Sequence, residues 1–310
     1  MAALTLLEAA KLRNLDTFRQ GVIETIGTHG NLIGQIPFMS IPGASYTFNR
    51  EGKLPTAAFR GVNESHQSTV GALAPETETL RMFGGNIDVD RFLVETGGED
   101  QRDMQEEMQL KALALEWTAK FFKGDSDADP REFDGLQKRL AGDQVIDAGS
   151  TSGGDALSLD KLDEAIDRTD SPTHIFMNRT MIRRLSSASR NTSVGGFITY
   201  DQDEFGNRVS MYNGLPLVAI DEDASRNQIL GFDEAAPAGG TAQCTSIYVA
   251  SVGDGQLMGI QNGIMDVTDL GLLDDGSKYR TTVDWYNSFV LMGDHSATRL
   301  RGVTNAAVVA

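Results

Sequence analysis

The last quarter of the chain, residues 245–303, constrains the fold most, because short β-branched and aromatic runs alternate there with Gly/Asp turns. Residues 280–290 alternate between a strongly apolar face and a polar face. The apolar face carries Thr281, Val283, Trp285, Asn287 and Phe289. This pattern predicts a succession of antiparallel strands with one buried face. The segment contains neither a nucleophile with its base and orienting residue nor a metal-ligand spacing.

The overall charge is acidic. Lys and Arg number 27 and Asp and Glu 44, so the net charge is 27 − 44 = −17. A generic nucleic-acid binder would carry a basic footprint, and this composition argues against one. The same composition does not exclude a protein that encloses DNA, because the inner wall of such a protein gains nothing from binding phosphates tightly. Ordinary acidic solubility is the alternative explanation of the same charge.

Length and cysteine content limit the kind of protein that this chain can be. The 310 residues suffice for one large domain or two ordinary ones. Cys244 is the single cysteine, which excludes an intrachain disulfide and favours synthesis in a reducing cytoplasm. The first 14 residues lack the apolar core of a signal peptide, and no run approaches the roughly 18 apolar residues of a membrane span. We expect a soluble protein with no membrane partner.

The N-terminal segment predicts two short helices within residues 3–27, broken near Asn14. An apolar stripe runs along the first, and Asp16 is a candidate cap for the second. The stripe consists of Leu4, Leu7, Ala10 and Leu12. Helices this short are marginal alone in water, so they need a docking surface, which could lie on another subunit.

Residues 46–83 have strand-like ends and a polar middle punctuated by glycines. A structureless loop of this length is uncommon inside a compact domain, so the pattern favours a projecting two-stranded ribbon. An isolated ribbon is only marginally stable, which indicates that it lies on a partner. A lid over a site is the alternative interpretation.

The longest predicted helix covers residues 99–123 and contains neither Gly nor Pro. Acids crowd its first half, and Lys120 and Lys123 occupy its last turn, as the helix dipole favours. At 1.5 Å per residue its length is about 37 Å, enough for the backbone of a flat, elongated subunit. Residues 130–262 then read as an α/β block, with Asn178 as a predicted helix cap and Asn213-Gly214 as a hairpin turn.

Motifs that would carry chemistry are weak. Asp125, Asp127 and Asp129 mimic the start of a calcium loop, but Pro130 and Leu136 replace the required Gly and Glu. The residues Gly253, Gly255 and Gly259 are spaced one residue too long for a dinucleotide fingerprint and predict a hairpin. The four histidines are scattered. We therefore predict neither catalytic residues nor a cofactor or metal site, and a hydrolase using the three aspartates is the remaining enzymatic alternative.

Complementary charges provide candidate contacts between subunits. On the ribbon the candidates are the cations Arg50, Lys53 and Arg60, and on the long helix they are the acids Glu99, Asp103, Glu106 and Glu107. Attraction between them could guide docking within one chain or between chains. Two independently solvated faces would give the same pattern.

In order, these segments resemble the major capsid protein of tailed bacteriophages, the Hong Kong 97 type fold. Local motifs carry the resemblance as well as the order. They are FDGLQKRL (133–140), HIFMNRTMIRRL (174–185), NGLPLVAID (213–221) and a strand pair within Ser246–Ile260. The resemblance covers nearly the whole chain.

The resemblance implies an α+β fold with an N-terminal arm, an extended β-loop, a long spine helix, a peripheral domain and an axial domain. The arm would be residues 1–35. Residues 36–129 would form part of the peripheral domain, with the β-loop at 44–84 and the spine helix at 99–124. The axial domain would span 130–262, and residues 263–310 would return to the peripheral domain beside strand segments near 36–42 and 85–96.

The function it implies is a non-enzymatic shell subunit. The chain would assemble with copies of itself, as pentamers and hexamers, into an icosahedral head around double-stranded DNA that it encloses without sequence-specific binding. Further partners would be a scaffold, a portal and possible decoration proteins, and the protein would be made in the bacterial host cytoplasm and reside in the virion. An encapsulin-type compartment, which shares the fold, is the structural alternative.

Overall fold

A computed structural model of the chain describes residues 4–5, 32–53, 55–66, 69–97, 99–149, 153–188, 198–202, 208–220, 222–223, 225–240, 243–274 and 276–309. The strands in these ranges are β1 Leu4–Thr5, β2 Pro37–Ser40, β3 Ser45–Lys53, β4 Ala72–Thr79, β5 Arg81–Asp90, β6 Val145–Asp147, β7 His174–Asn178, β8 Ile198–Gln202, β9 Arg208–Tyr212, β10 Leu215–Ile220, β11 Glu234–Ala235, β12 Gln243–Ala250, β13 Leu257–Gln261, β14 Asp266–Leu272, β15 Lys278–Leu291 and β16 Ala297–Thr304. The helices are α1 Arg91–Gly97, α2 Glu99–Lys123, α3 Leu136–Arg139, α4 Leu159–Asp167 and α5 Arg179–Ala188, with a short 3₁₀ turn at Gly142–Gln144.

A six-stranded sheet is built around the long strand β15. β5 pairs antiparallel along one edge of β15, and β13 and β14 follow one another along the other edge. β2 lies parallel to β13, and β1 pairs antiparallel with β2. The predicted alternation is confirmed, because Thr281, Val283, Trp285, Asn287 and Phe289 are all buried.

Helix α2 covers the buried face of this sheet and confirms the predicted spine helix. Its second half is apolar and meets an aromatic cluster, whereas its first half is mostly exposed. Trp117 packs 5.9 Å from Trp285 and 6.0 Å from Phe38, measured between ring centroids. The Trp117 Nε1–H donates to Asn287 Oδ1 at 2.8 Å, so this polar pair is satisfied inside the core.

An eight-stranded sheet forms the second unit, in the order β6-β16-β12-β7-β10-β9-β8, with β11 beside β12. Its two faces are covered by different helices because alternate residues of a strand point to opposite sides. On one face Phe176 and Tyr248 contact Phe122 of α2. On the other face Ile175 and Met177 pack in the cluster that contains the buried residues of α4 and α5.

Two predicted local signals in this unit are confirmed. The Asn178 side chain caps α5, because its Oδ1 accepts a hydrogen bond from the Met181 N–H at 2.7 Å. Asn213 and Gly214, with φ of 49° and 81°, form the tight turn between the antiparallel strands β9 and β10. Positive φ at both turn residues matches the twist of the flanking strands.

The two strands predicted within Ser246–Ile260 are present, but the hairpin predicted from the glycines between and within them is wrong. The Gly253–Gly255 turn is present, but β12 enters the eight-stranded sheet and β13 the six-stranded one. Gly259 lies within β13 against the Phe38 ring, where a Cβ would lie 2.3 Å from two ring carbons. This glycine therefore allows close packing of β13 beside β2, a long-range contact that its spacing in the sequence does not indicate.

Three further segments differ from expectation. Leu4–Thr5 forms a strand on β2 instead of starting a helix, and the rest of the predicted N-terminal helices lies outside the described residues. The strand segment expected at 85–96 ends at Asp90, after which α1 begins. β16, expected to return to the sheet of β15, instead pairs with β12.

Candidate assembly surfaces

The predicted ribbon is present as a separate two-stranded sheet in which β3 pairs antiparallel with β4 from Ser45↔Thr79 to Lys53↔Ala72. Beyond the strands, the Thr56 N–H donates to Thr69 Oγ1 at 2.9 Å, and the Gly61 N–H donates to Glu64 Oε2 at 2.8 Å. These bonds order the loop that joins the two strands. We call residues 55–66 and 69–71 the ribbon tip.

The ribbon tip presents large apolar side chains to solvent. Phe59 is 108% exposed, Val62 92% and Val70 84%. Leu73, at the start of β4, is 65% exposed. A polar projection that carries apolar side chains away from its own core is typical of a surface that binds another protein.

The root of the ribbon is packed against the six-stranded sheet. Tyr46 and Phe48 stack on each other with ring centroids 6.1 Å apart, and both contact the apolar cluster that contains Ile260 and Val290. This contact explains why Ser288 and Val290 are buried although they lie on the polar face of β15. The sheet thus supports the root of the ribbon.

Arg139 of α3 fixes the root by charge. Its guanidinium binds Glu78 of β4 through two nitrogens, at 3.0 and 2.5 Å, and its Nε–H donates to the Asp134 carbonyl at 2.6 Å. The guanidinium carbon lies 4.3 Å from the centroid of the Phe289 ring. A bidentate, mostly buried pair holds a fixed geometry, so this contact sets the direction in which the ribbon leaves the subunit.

The predicted cations of the ribbon have different surroundings. Arg50 binds within the chain, through Nη2 to the Leu291 carbonyl at 2.6 Å and through Nη1 to Glu76 at 3.1 Å. Arg60 lies in the exposed tip, where it donates to His66 Nε2 and to the Glu64 carbonyl. Lys53 ends β3, and its side chain lies outside the described residues. Arg50 therefore fastens the root, and Arg60 is the cation that the tip exposes.

The predicted acids of the spine helix also have different surroundings. Glu106 is buried and accepts a hydrogen bond from Thr281 Oγ1 at 2.8 Å, so it ties α2 to β15 within one chain. Glu107 is exposed. Glu99 and Asp103 lie in the first turns of α2, and their side chains are outside the described residues. Glu106 binds β15, and Arg50 binds the Leu291 carbonyl and Glu76, so both have partners within their own chain.

Exposed apolar side chains accompany the acidic half of α2. Met104 and Met108, four residues apart and so on one helix face, are 48% and 61% exposed. Phe92 and Leu93 of the preceding helix α1 are exposed as well. We call residues 99–108 of α2 the acidic half-helix.

Two of the three calcium-like aspartates, Asp125 and Asp127, bind a lysine, whereas Asp129 lies 3.4 Å from Arg131. Lys138 Nζ lies 2.6 Å from Asp125, 2.8 Å from Asp127 and 2.9 Å from Asp134. Burial opposes ionisation of Asp134, but hydrogen bonds from Lys138 and Ser126 outweigh it and lower the pKa of that carboxyl to about 2. The lysine ammonium therefore supplies the positive charge that faces Asp125 and Asp127.

Other residues that could carry chemistry are packed within the fold. Cys244 is a buried thiol. Burial lowers the pKa of His174, whose ring stacks on Phe176. Within the described ranges, no group of three His, Cys, Asp or Glu side chains is placed to hold a metal ion. None of the described helices combines the length and apolar character that a bilayer crossing needs.

Sequence reasoning missed three features of these surfaces. Glu78 and Arg139 are 61 positions apart, and no local spacing links them. Arg299 and Glu234 form a second buried pair, at 2.7 Å, between β16 and β11. The apolar ribbon tip had a signal in Phe59 and Val62, large apolar residues in an otherwise polar segment.

Comparison with solved structures identifies the class of fold. A chain of the holo-SrpI encapsulin complex from Synechococcus elongatus PCC 7942 is 16% identical, with a TM-score of 0.65 over 98% of this chain and 97% of that chain. A chain of Microbacterium phage Oxtober96 is 11% identical, with a TM-score of 0.62 over 88% and 90%. The capsid chain of a native GTA particle is 10% identical, with a TM-score of 0.55 over 89% and 91%. The chain therefore has the Hong Kong 97 type fold predicted from its sequence.

A sequence-family match points to the particular group. The family model described as Major capsid protein GP7 matches residues 21–160, somewhat less than half of the chain. No curated protein sequence matches the chain. Together with the fold, the family match confirms the resemblance to the major capsid proteins of tailed bacteriophages.

Proposed function

We propose that this chain is a major capsid protein, a non-enzymatic subunit that assembles with its own copies into an icosahedral shell around double-stranded phage DNA. The observation that carries the proposal is the ribbon tip, which holds Phe59, Val62 and Val70 in solvent on a subunit with a capsid fold. Burying such side chains on a neighbouring copy contributes about 1.5–3 kcal/mol for each large apolar residue. Many repeated contacts of this kind stabilise a closed shell.

The two sheets suggest how the subunit is divided. We assign the six-stranded sheet, the ribbon and α2 to the peripheral domain, and the eight-stranded sheet with α4 and α5 to the axial domain. This division keeps the predicted arm, β-loop and spine helix. It moves β13 to the peripheral domain and β16 to the axial domain, because strands that share a sheet share a core.

The partners follow from this role. Axial-domain loops would meet around five-fold and six-fold positions, and the ribbon would lie on an adjacent copy, with Arg60 and the acidic half-helix as charged contacts. A scaffold, a portal and decoration proteins remain proposed partners. The acidic composition suits an inner wall that encloses DNA without binding its sequence. The shell would be assembled in the host cytoplasm and found in the virion.

An encapsulin-type compartment is the second candidate, because the holo-SrpI encapsulin complex contains a chain of the same fold with a TM-score of 0.65. The two candidates differ in their contents. Shells isolated from the native source that hold nuclease-protected DNA would support the capsid role, and shells that hold an enzyme would support the compartment.

The ribbon contact is tested by the double substitution Phe59→Ser and Val62→Ser. Because both side chains are outside the core, the free energy of unfolding of the isolated subunit should not change, whereas shell formation should fail in sedimentation and electron microscopy. The matched control is Val309→Ser, an exposed apolar residue near the C-terminus, which should assemble normally. Normal shells from the double variant would refute the ribbon as an assembly contact.

A further inference from the structure

A turn in the ribbon tip is closed by the side chain of Arg60. Its Nη1 donates a hydrogen bond to the Glu64 carbonyl at 3.0 Å, and its Nε–H donates to His66 Nε2 at 3.1 Å. Phe59 directly precedes Arg60, and Val62 lies within the turn, where both side chains are exposed. Arg60 therefore joins the two sides of the loop that presents these apolar side chains.

The bond between Arg60 and His66 requires a neutral imidazole ring. An arginine nitrogen can only donate, so His66 Nε2 must carry the lone pair and Nδ1 the proton. Protonation of the ring makes Nε2 a donor as well and places a second cation 3.1 Å from Arg60 Nε. Histidine is the side chain that gains its charge as the pH falls from 8 to 5. The bond is therefore lost over that interval.

Few charged groups surround His66. Within the ribbon tip the charged or titratable side chains are Arg60, Glu64 and His66, and all three residues are exposed. Glu64 Oε2 accepts a hydrogen bond from the Gly61 N–H at 2.8 Å, so this carboxylate holds the same turn. Glu51 and Lys53, at the end of β3, have side chains outside the described residues. Arg60 is therefore the charged group whose contact changes directly when His66 gains a proton.

We infer that His66 makes assembly sensitive to pH. Protonation of His66 separates it from Arg60, opens the turn between Arg60 and Glu64, and so weakens the docking of Phe59 and Val62 on the neighbouring copy. A loop that is already ordered before it binds loses less conformational entropy on binding, so a loosened turn binds more weakly. Every subunit of a shell carries the same bond, so each repeated contact weakens in the same way. This regulation rests on the proposed shell function and on the ribbon tip as its contact.

The subunit concentration needed for assembly, measured by sedimentation at about pH 7.5 and about pH 5.5, tests the inference. For the unaltered chain this threshold should rise about threefold or more at the lower pH, because a hydrogen bond to a charged group is lost at each contact. His66→Gln stays neutral and keeps an acceptor for Arg60, so its threshold should rise much less. His66→Lys, a permanent cation, should have the raised threshold at both pH values. The control is His295→Gln, an exposed histidine between β15 and β16, which should respond to pH as the unaltered chain does.

A second measurement does not depend on shells. In NMR spectra of the unassembled subunit, the Arg60 Nε–H resonance should shift as the His66 ring gains its proton, and it should not shift over the same interval in His66→Gln. A resonance that does not follow His66 overturns the bond, even if the unaltered chain forms no shells. Equal pH responses of the unaltered chain and His66→Gln overturn the role of His66 in assembly, and so does easier assembly at the lower pH. Shells from the unaltered chain at either pH establish the shell function whichever result the variants give.

Discussion

Replacing Arg139 by methionine tests whether the Arg139–Glu78 pair sets the direction in which the ribbon leaves the subunit. Methionine keeps the aliphatic stem over Phe289 but removes the two hydrogen bonds to Glu78 and the one to the Asp134 carbonyl. Glu78 would then keep the long contact to Ser288 Oγ at 3.4 Å. The side chains of Arg139 and Glu78 are 15% and 22% exposed, so the stranded carboxylate would be poorly hydrated.

The magnitude follows from that burial. Removing one partner of a fully buried ion pair costs about 3–5 kcal/mol, and an exposed pair contributes about 0–1 kcal/mol. For a pair buried to this degree we expect a loss of about 3 kcal/mol in the free energy of unfolding. The matched control is Arg91→Met, which breaks the Arg91–Glu95 pair, whose side chains are 48% and 56% exposed. That variant should lose much less stability, because solvent screens an exposed pair.

The assay is urea unfolding of the unassembled subunit, combined with limited proteolysis of residues 55–71. The double variant Glu78→Gln/Arg139→Met should recover part of the lost stability, because it leaves no unpaired charge. Cleavage in the ribbon should accelerate in Arg139→Met alone. If Arg139→Met loses less than about 1 kcal/mol and cleaves like the unaltered chain, the pair does not fix the ribbon.

Two further substitutions test the packing and charge arguments. Gly259→Ala places a methyl group against the buried Phe38 ring and should cost about 1–3 kcal/mol in urea unfolding, whereas Gly253→Ala, with open space at its Cβ, should cost little; equal losses would contradict the packing role. Lys138→Met removes the cation that depresses the pKa of Asp134 to about 2 from 3.8. A depressed carboxyl pKa stabilises the fold above about pH 4, and this contribution is lost as the pH falls toward 2. The stability difference between Lys138→Met and the unaltered chain should therefore shrink over that interval, and a difference independent of pH would contradict the assignment.

Periodic and local signals predicted much of the fold. The alternation of β15, the uninterrupted helical run of α2, the Asn178 cap and the Asn213-Gly214 turn each depend on neighbouring residues, so their physics is readable in a short window. The sheet to which each strand belongs was harder to predict from the sequence. β13 and β16 pair with strands that contain Phe38 and Cys244, which lie far away in the sequence. The residue pattern of a strand does not predict which strand pairs with it.

The candidate contacts divide in the same way. The sequence predicted Arg50 and Glu106 as contacts together with Arg60 and Glu107. A charged residue looks the same in a sequence whether its side chain is buried or exposed. Only the packing of the root separates Arg50, bound to the Leu291 carbonyl, from Arg60 in the tip.

The central claim is that this chain builds a closed shell, and electron microscopy of the purified protein in negative stain tests it most directly. The chain should be imaged alone and after co-expression with any scaffold gene that neighbours its own. The account predicts closed shells, or rings of five or six subunits, in at least one of the two preparations. Uniform monomers or dimers in both would contradict it and would make the ribbon a feature of the isolated subunit.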